Sequence, residues 1–335
     1  LEGLEEYIVG LNDLNVDAII VSDPSIIMTA KEVAPDLEIH LSTQANNVNW
    51  KSAKFWHSLG VKRIVLAREL SFKEIEKIHE NLPEDCDLEA FVHGSMCMAY
   101  SGRCLISNYM TGRDSNRGAC SQACRYKYYL MEEKRPGEYF QVIEDDKGTY
   151  IMNSKDLCMI EYIPELVKSG IYSFKIEGRM KSPYYVAAIV KAYREALDKY
   201  WDDPEGYEFD QKLMDNLLKV SHRRYHTGFY FGKSGEQVYE SSSYIRDYDI
   251  VGVVRDYNEE TKVATIEQRN RLFEGDTVEV LTPVGDYYEI QMNDMKDEKD
   301  EKIDVANKAQ MIFKVKIDKP VKVNDMLIKC KEANS

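Results

Sequence analysis

Arg63-Ile-Val-Leu-Ala67, then Ser71-Phe-Lys-Glu-Ile-Glu-Lys-Ile-His79, then Leu88-Glu-Ala-Phe-Val92: this stretch decides the fold. Two short apolar runs flank a segment whose Phe72, Ile75 and Ile78 recur at helical spacing behind Ser71, a good N-cap residue. Strand, helix and strand in such close succession imply a right-handed βαβ unit and a parallel sheet. The pattern extends toward the N-terminus. Leu1, Leu4, Ile8, Leu11 and Leu14 mark an amphipathic helix, and Ala18-Ile-Ile-Val-Ser22 and Glu38-Ile-His-Leu-Ser42 read as two more buried strands. Toward the C-terminus the alternation resumes with a helix ending over 164–169, a strand Ile171-Tyr-Ser-Phe-Lys-Ile176 and a long helix over 182–201.

Five such strands, in a chain that opens directly in a helix and without methionine, predict an α/β fold of (β/α) TIM-type that lacks its first strands, as a piece of a longer protein would. From about Tyr244 the character changes to short β-rich runs, Ile250-Val-Gly-Val-Val254, Val263-Ala-Thr-Ile266, Asp276-Thr-Val-Glu-Val-Leu281 and Gln310-Met-Ile-Phe-Lys-Val315. They predict a small antiparallel β-barrel with a charged, solvated tip over 294–304. The expected division is a (β/α) domain over 1–232, carrying an inserted Cys-rich segment at about 95–150 with a hairpin over 128–150, and a β domain over 244–335.

The net charge of −14 in 335 residues argues against nonspecific coating of nucleic acid or anionic membrane. Seven cysteines, no signal-peptide pattern and no apolar run of membrane-spanning length point to a soluble cytoplasmic protein whose cysteines are not disulfide-bonded. Against that background Cys97, Cys104, Cys120 and Cys124 fall among Gly, Ser, Asn and Arg, where apolar packing gives no reason for them. Four thiolates suit tetrahedral zinc or an iron–sulfur cluster. Only Cys120 and Cys124 make a tight pair of the zinc-ribbon kind, so the spacing favours the cluster. Cys86, Cys158 and Cys330 read as ordinary buried cysteines. The same segment carries Arg103, Arg113, Arg117, Arg125 and Lys127 against one acid, Asp114, as an anion pocket would.

Polar residues gather at the expected strand ends: Ser22 and Asp23, Thr43 and Gln44, Arg68 and Glu69, His93, Glu177 and Arg179. Strand ends of one polarity form the active face of barrel enzymes, although each such residue alone serves equally well as a cap. His93, Glu177 and Arg179 are the catalytic candidates, with His93 as acid/base or orienting group. There is no HExxH, GxSxG, Walker or GxGxxG pattern, nor the CxxxCxxC of radical enzymes.

Glu89-Ala-Phe-Val-His-Gly-Ser-Met-Cys97, Ser101-Gly-Arg-Cys104-Leu-Ile-Ser107, Asn153-Ser-Lys-Asp-Leu157, Phe174-Lys-Ile-Glu-Gly-Arg-Met-Lys-Ser182 and Ser221-His-Arg-Arg-Tyr-His-Thr-Gly-Phe229 together resemble the collagenase-like peptidase family U32 along essentially the whole chain. That family places a complete or incomplete (β/α) barrel before a small β-barrel, with about two further βα units ahead of the first helix seen here. Its name implies proteolysis. Many members instead resemble oxygen-independent hydroxylation proteins, and Arg135-Pro-Gly-Glu-Tyr139 with Gly148 to Asp156 looks most like the branch acting on tRNA. The resemblance implies a 4Fe–4S cluster on Cys97, Cys104 and Cys120, with Cys124 as fourth ligand and Cys158 as the alternative. It further implies prephenate as hydroxyl donor and 5-hydroxyuridine at the tRNA wobble position as product. Arg103, Arg113, Arg117 and Arg125 are then expected to bind the dicarboxylate donor, and Arg179, Lys181, Arg223 and Arg224 the RNA phosphates. Three further expectations stand beside this reading: a peptidase, a non-catalytic Fe–S or RNA-binding partner, and a second subunit of the same family.

Overall fold

The computed structural model describes residues 2–96, 100–126, 129–130, 133–134, 136–137, 140–141, 155–232 and 245–331. Among them the chain divides into two compact units. One comprises 1–177, 202–206 and 223–243, the other 178–201, 207–222 and 244–335.

The first unit is built on helices α1 (Leu4–Asp13), α2 (Pro24–Val33), α3 (Trp50–Ser58) and α4 (Phe72–His79), alternating with strands β1 (Ala18–Val21), β2 (Glu38–Leu41), β3 (Arg63–Val65) and β4 (Asp87–Ser95). The four strands are neighbours in that order and all parallel, as the strand–helix alternation requires. Local chemistry starts each helix. Asp23 caps α2 by accepting from the Ser25 amide at 2.8 Å, Asn49 caps α3 by accepting from Ser52, and Ser71 with Glu74 forms a capping box on α4. Ile39, Leu41, Ile64, Leu66 and Leu88 are fully buried, which fixes the register of a sheet that a one-residue slip would turn inside out.

After β4 come the short helix α5 (Ile106–Thr111), the paired strands β5 (Tyr129–Leu130) and β6 (Phe140–Gln141), then β7 (Asp156–Cys158), α6 (Ile163–Lys168) and β8 (Ser173–Ile176). β5 and β6 fall within the hairpin expected over 128–150, the rest of which lies outside the described residues. β8 pairs parallel with β4 as expected. Two additions were not anticipated: β7 pairs antiparallel with the end of β4, and the two-residue β9 (Tyr225–His226) pairs parallel with β7. The sheet is therefore seven-stranded and mixed in direction, within an α/β unit, rather than five strands of one direction.

The second unit contains α7 (Pro183–Asp202) and α8 (Gln211–Leu218), followed by β10 (Tyr248–Asn258), β11 (Val263–Gln268), β12 (Leu272–Phe273), β13 (Thr277–Leu281), β14 (Tyr288–Gln291), β15 (Asn293–Asp297), β16 (Val305–Ala306), β17 (Ile312–Lys316) and β18 (Met326–Cys330). Seven of these strands make one antiparallel sheet in the order β14-β13-β18-β10-β11-β17-β15. It is a half-barrel; the closed barrel expected from the strand spacing is not formed, because β14 and β15 end the pairing path among the described residues. Val254, Ala264, Ile266, Val280, Phe313 and Leu327 fill its core. No helix among the described residues is long and apolar enough to cross a membrane.

Candidate functional site

Four elements of the first unit bring polar side chains to the C-terminal end of β4. A β-bulge interrupts the β4–β8 ladder between Phe91 and His93, so the strand turns just where its polar residues begin. His93 is completely buried; its ring meets that of Tyr225 edge-on at 5.3 Å, and its backbone faces Cys158 of β7. Gly94 follows at φ +117°, with its α-carbon so close to Glu177 that a methyl group there would lie 2.5 Å from the Glu177 carbonyl oxygen. Only glycine permits that approach. Glu177 in return accepts from the Ser95 amide at 3.3 Å and donates its own amide to the His93 carbonyl at 2.9 Å. The two catalytic candidates His93 and Glu177 are thus joined through three consecutive residues.

Arg68, just beyond β3, lays its guanidinium 3.8 Å from the centre of the Phe91 ring and donates to the Ser95 carbonyl at 2.8 Å. Stacking and a directed hydrogen bond fix its plane, a task lysine does not perform. Glu69 accepts from the amide of Ser101 at 2.9 Å and so anchors the start of the Cys-rich segment. Gly102 presses against the Gln44 backbone, where a methyl group would sit 2.1 Å from the carbonyl oxygen. Thr43 spends its hydroxyl on the Leu66 carbonyl, and Asp23 is a cap. Of the strand-end residues anticipated, then, Arg68, Glu69, His93 and Glu177 form the layer, whereas Asp23 and Thr43 serve local structure.

Three residues of this region were not singled out by sequence. Asn47, at 1% exposure, has neither amide atom hydrogen-bonded, and the Ser95 hydroxyl is likewise buried without a partner. His226 accepts from the Gly228 amide through Nδ1 at 3.3 Å, which leaves the hydrogen on Nε2, a buried atom with no partner. Burial, with a smaller contribution from the Lys155 charge, pushes the His226 pKa down to about 4, so the ring is neutral near pH 7. Buried groups with unused hydrogen-bonding capacity are uncommon in folded proteins and mark positions where a ligand completes the set. Asn47 lies two residues before Asn49, the N-cap of α3, and nothing in composition separates it from the loop residues around it.

The Cys-rich segment is a small structure held by its own polar groups. Ser107 of α5 donates to the Arg113 carbonyl and accepts from the Ser121 amide; Ser115 and Asn116 both donate to the Cys104 carbonyl, at 3.0 and 2.9 Å. Cys104 and Cys120 are free thiols, and Cys124 lies buried in the single turn Ala123–Arg125. Gln122, in the left-handed conformation, aims its amide at the Cys120 sulfur at 3.2 Å. Amide donors to sulfur are among the groups by which a protein tunes a bound iron–sulfur cluster. The donor set therefore fits an iron–sulfur cluster, although among the described residues no three potential ligands already converge on one point, and Cys97 lies outside those residues. Cys158, the alternative fourth ligand, is buried within β7 opposite His93.

The anticipated anion-binding residues are not gathered together. Arg103, Arg113 and Arg117 are exposed on the Cys-rich segment, and the Arg125 side chain lies outside the described residues. Arg223 is buried in the first unit, where its amide donates to the Asp156 carboxylate at 3.1 Å. Arg179 and Lys181 belong to the second unit, in which Lys181 donates to the Ser221 carbonyl and lies over the Tyr185 ring.

The model of Peptidase family U32 matches residues 1–240, and that of the Peptidase family U32 C-terminal domain matches residues 246–327. This chain is a member of peptidase family U32. It is 42% identical over 333 residues to tRNA hydroxylation protein P1 of Bacillus subtilis, covering 99% of this chain and 78% of the relative. To tRNA hydroxylation protein P of Escherichia coli it is 40% identical, covering 82% of this chain and 68% of the relative. A collagenase of Porphyromonas gingivalis is 34% identical over 80% of this chain and 66% of its own length.

Proposed function

We propose that this member of family U32 hydroxylates tRNA, with prephenate as hydroxyl source and the wobble uridine as target. The observation that carries the reading is the construction around β4. Its end presents a buried polar layer, and the segment that follows it in sequence offers the cysteines Cys104, Cys120 and Cys124 and an amide pointed at the Cys120 sulfur. The high identity to two proteins named for tRNA hydroxylation supports the same reading along nearly the full chain. We further infer that the parallel sheet belongs to a (β/α) barrel and that the protein acts in the cytoplasm, where its substrate is.

In this reading Cys97, Cys104, Cys120 and Cys124 hold a 4Fe–4S cluster, which when bound supplies electron transfer and Lewis-acidic iron. Chain residues do the rest. Arg68, held flat on Phe91, presents a guanidinium edge to a carboxylate of the donor. Asn47 offers a paired donor and acceptor, the complement of the imide edge of a uracil ring. The Nε2 hydrogen of the neutral His226 and the buried His93 are the groups placed to hold or move a proton.

The test is iron and acid-labile sulfide per chain in protein purified without oxygen, followed by mass spectrometry of tRNA incubated with it and prephenate. Iron with sulfide, and prephenate-dependent addition of one oxygen to uridine, is the expected result. Gelatin cleavage that survives removal of iron, with unmodified tRNA, would replace this reading with the proteolytic one that the Porphyromonas relative's name suggests.

A further inference from the structure

The Cys-rich segment spends its polar groups inward and turns the wrong residues outward for an ordinary surface. Tyr109 of α5 is 86% exposed, Tyr100 is 68% exposed and Tyr126 is 51% exposed. Single exposed aromatics need no explanation, but three within one small, internally bonded segment do. Internal bonds keep these rings on one piece. The Tyr109 amide bonds to the Leu105 carbonyl at the head of α5, the Tyr126 hydroxyl donates to the Ser121 carbonyl at 3.2 Å, and Ser121 is itself bound to Ser107 and Thr111 of α5. Tyr100 closes the turn that ends at Arg103, whose amide it accepts at 3.0 Å.

Along the same stretch of chain stand Arg103, Arg113 and Arg117, all exposed. Arg103 and Arg113 have no acidic partner among the described residues, and Arg117 reaches Asp114 only at 3.6 Å while remaining almost fully exposed. In a chain of net charge −14, unpaired arginines set among exposed rings are a local exception. A protein–protein contact would combine its aromatics into a continuous apolar centre depleted of charge. Here the exposed tyrosines alternate along the chain with exposed arginines, and the exposed apolar side chains Leu105 and Met110 stand among them rather than in a charge-free centre. That is the arrangement by which unpaired bases are stacked while their phosphates are neutralised.

We propose that the segment over 100–126 is a docking surface for the unpaired loop of an RNA, with Tyr100, Tyr109 and Tyr126 stacking on bases and Arg103, Arg113 and Arg117 meeting phosphates. It rests on the reading of this chain as a tRNA-modifying enzyme, and assigns to RNA the arginines that the sequence suggested for a small dicarboxylate. The surface distinguishes loop from duplex, since bases within a helix offer no free face.

The experiment measures binding of the full chain, purified without oxygen, to a fluorescent RNA hairpin with a uridine-containing loop and to a fully paired RNA of equal length. Loop RNA is expected to bind the parent more tightly. Tyr109→Ala and Tyr126→Ala should each weaken loop binding by about ten-fold, with Tyr109→Phe close to the parent because the ring remains. Arg103→Ser and Arg113→Ser should each lower the slope of log affinity against log salt by about one. All these side chains are exposed, so unchanged melting temperatures accompany these effects. Parent-like loop binding by the tyrosine and arginine variants would overturn the docking surface while leaving the tRNA reading intact. No RNA binding by the parent would overturn both. Loss of self-association in Tyr109→Ala, with RNA binding unchanged, would reassign the surface to a second copy of the chain.

Discussion

The Cys-rich segment and the C-terminal sheet use charge in opposite ways. In and around the sheet, most cations of the strands are matched: Arg255 and Arg269 both bind Glu267, Lys329 meets Asp276 at 2.6 Å, Lys314 meets Asp300 and Lys262 meets Asp318. Even the charged tip around Asp294 ties down Lys296 and Lys302. On the Cys-rich segment, Arg103 and Arg113 are left without acids among the described residues. Net charge is therefore a poor guide to what a protein binds. The difference lies in density: the sheet ties down most of its strand cations, whereas the Cys-rich segment gathers several unmatched arginines in a short stretch.

The largest expected effect tests whether the two regions are energetically separate. Cys104→Ala or Cys120→Ala should abolish iron and sulfide content and with them tRNA hydroxylation, whereas hydrogen exchange in β10, β11 and β18 should stay at the parent's level. Loss of protection in that sheet would show that the regions fold as one.

A second comparison uses two glycines of similar backbone. Gly102 and Gly275 have φ of +74° and +84°, but a methyl group at Gly102 meets the Gln44 carbonyl and one at Gly275 meets open space. Denaturant unfolding should show Gly275→Ala costing about 1 kcal/mol from left-handed strain alone, and Gly102→Ala about 3 kcal/mol or more, because backbone must also move. Equal losses would mean that the segment is not seated on Gln44.

His226 offers a pH test. Its folded pKa of about 4 lies below the ordinary histidine value, so the unfolded chain binds more protons between the two. Its contribution is present in full above about pH 6.5 and is lost as pH falls toward 4, up to about 3 kcal/mol in all. Replacing it in His226→Asn should flatten the dependence of unfolding free energy on pH across that window; an unchanged slope would place the proton uptake elsewhere. Smallest of all should be Glu267→Gln on the sheet, below about 1 kcal/mol and diminishing with added salt, as exposed ion pairs do.

How much of this was legible depended on whether a signal was local. β1 to β4 and β8 were readable because each is a short run rich in apolar, β-branched residues set between helical periods, and β4 is buried along nearly its whole length. Asp156-Leu-Cys158 and Tyr225-His226 were not, since two or three residues have no period and their pairing is imposed by the end of β4. The cysteines declared themselves through a composition foreign to any core. Asn47 and His226 remained hidden because an unsatisfied buried atom is a property of the folded surroundings, not of the residue. The arginines were legible as a cluster but not as an exposed one, which is why a small-anion pocket seemed natural for them.

The bulge between Phe91 and His93 carries a consequence for heredity. Nearly every residue of β4 is buried, so substitutions there would be lost through misfolding and rarely persist. Deleting the one extra residue instead restores a regular ladder and turns the end of the strand to its other face. Such an allele would be expected to lose activity and abundance together, because the buried Val92 and His93 sit at the shifted register. The length of this strand, as much as its letters, is what a lineage must preserve.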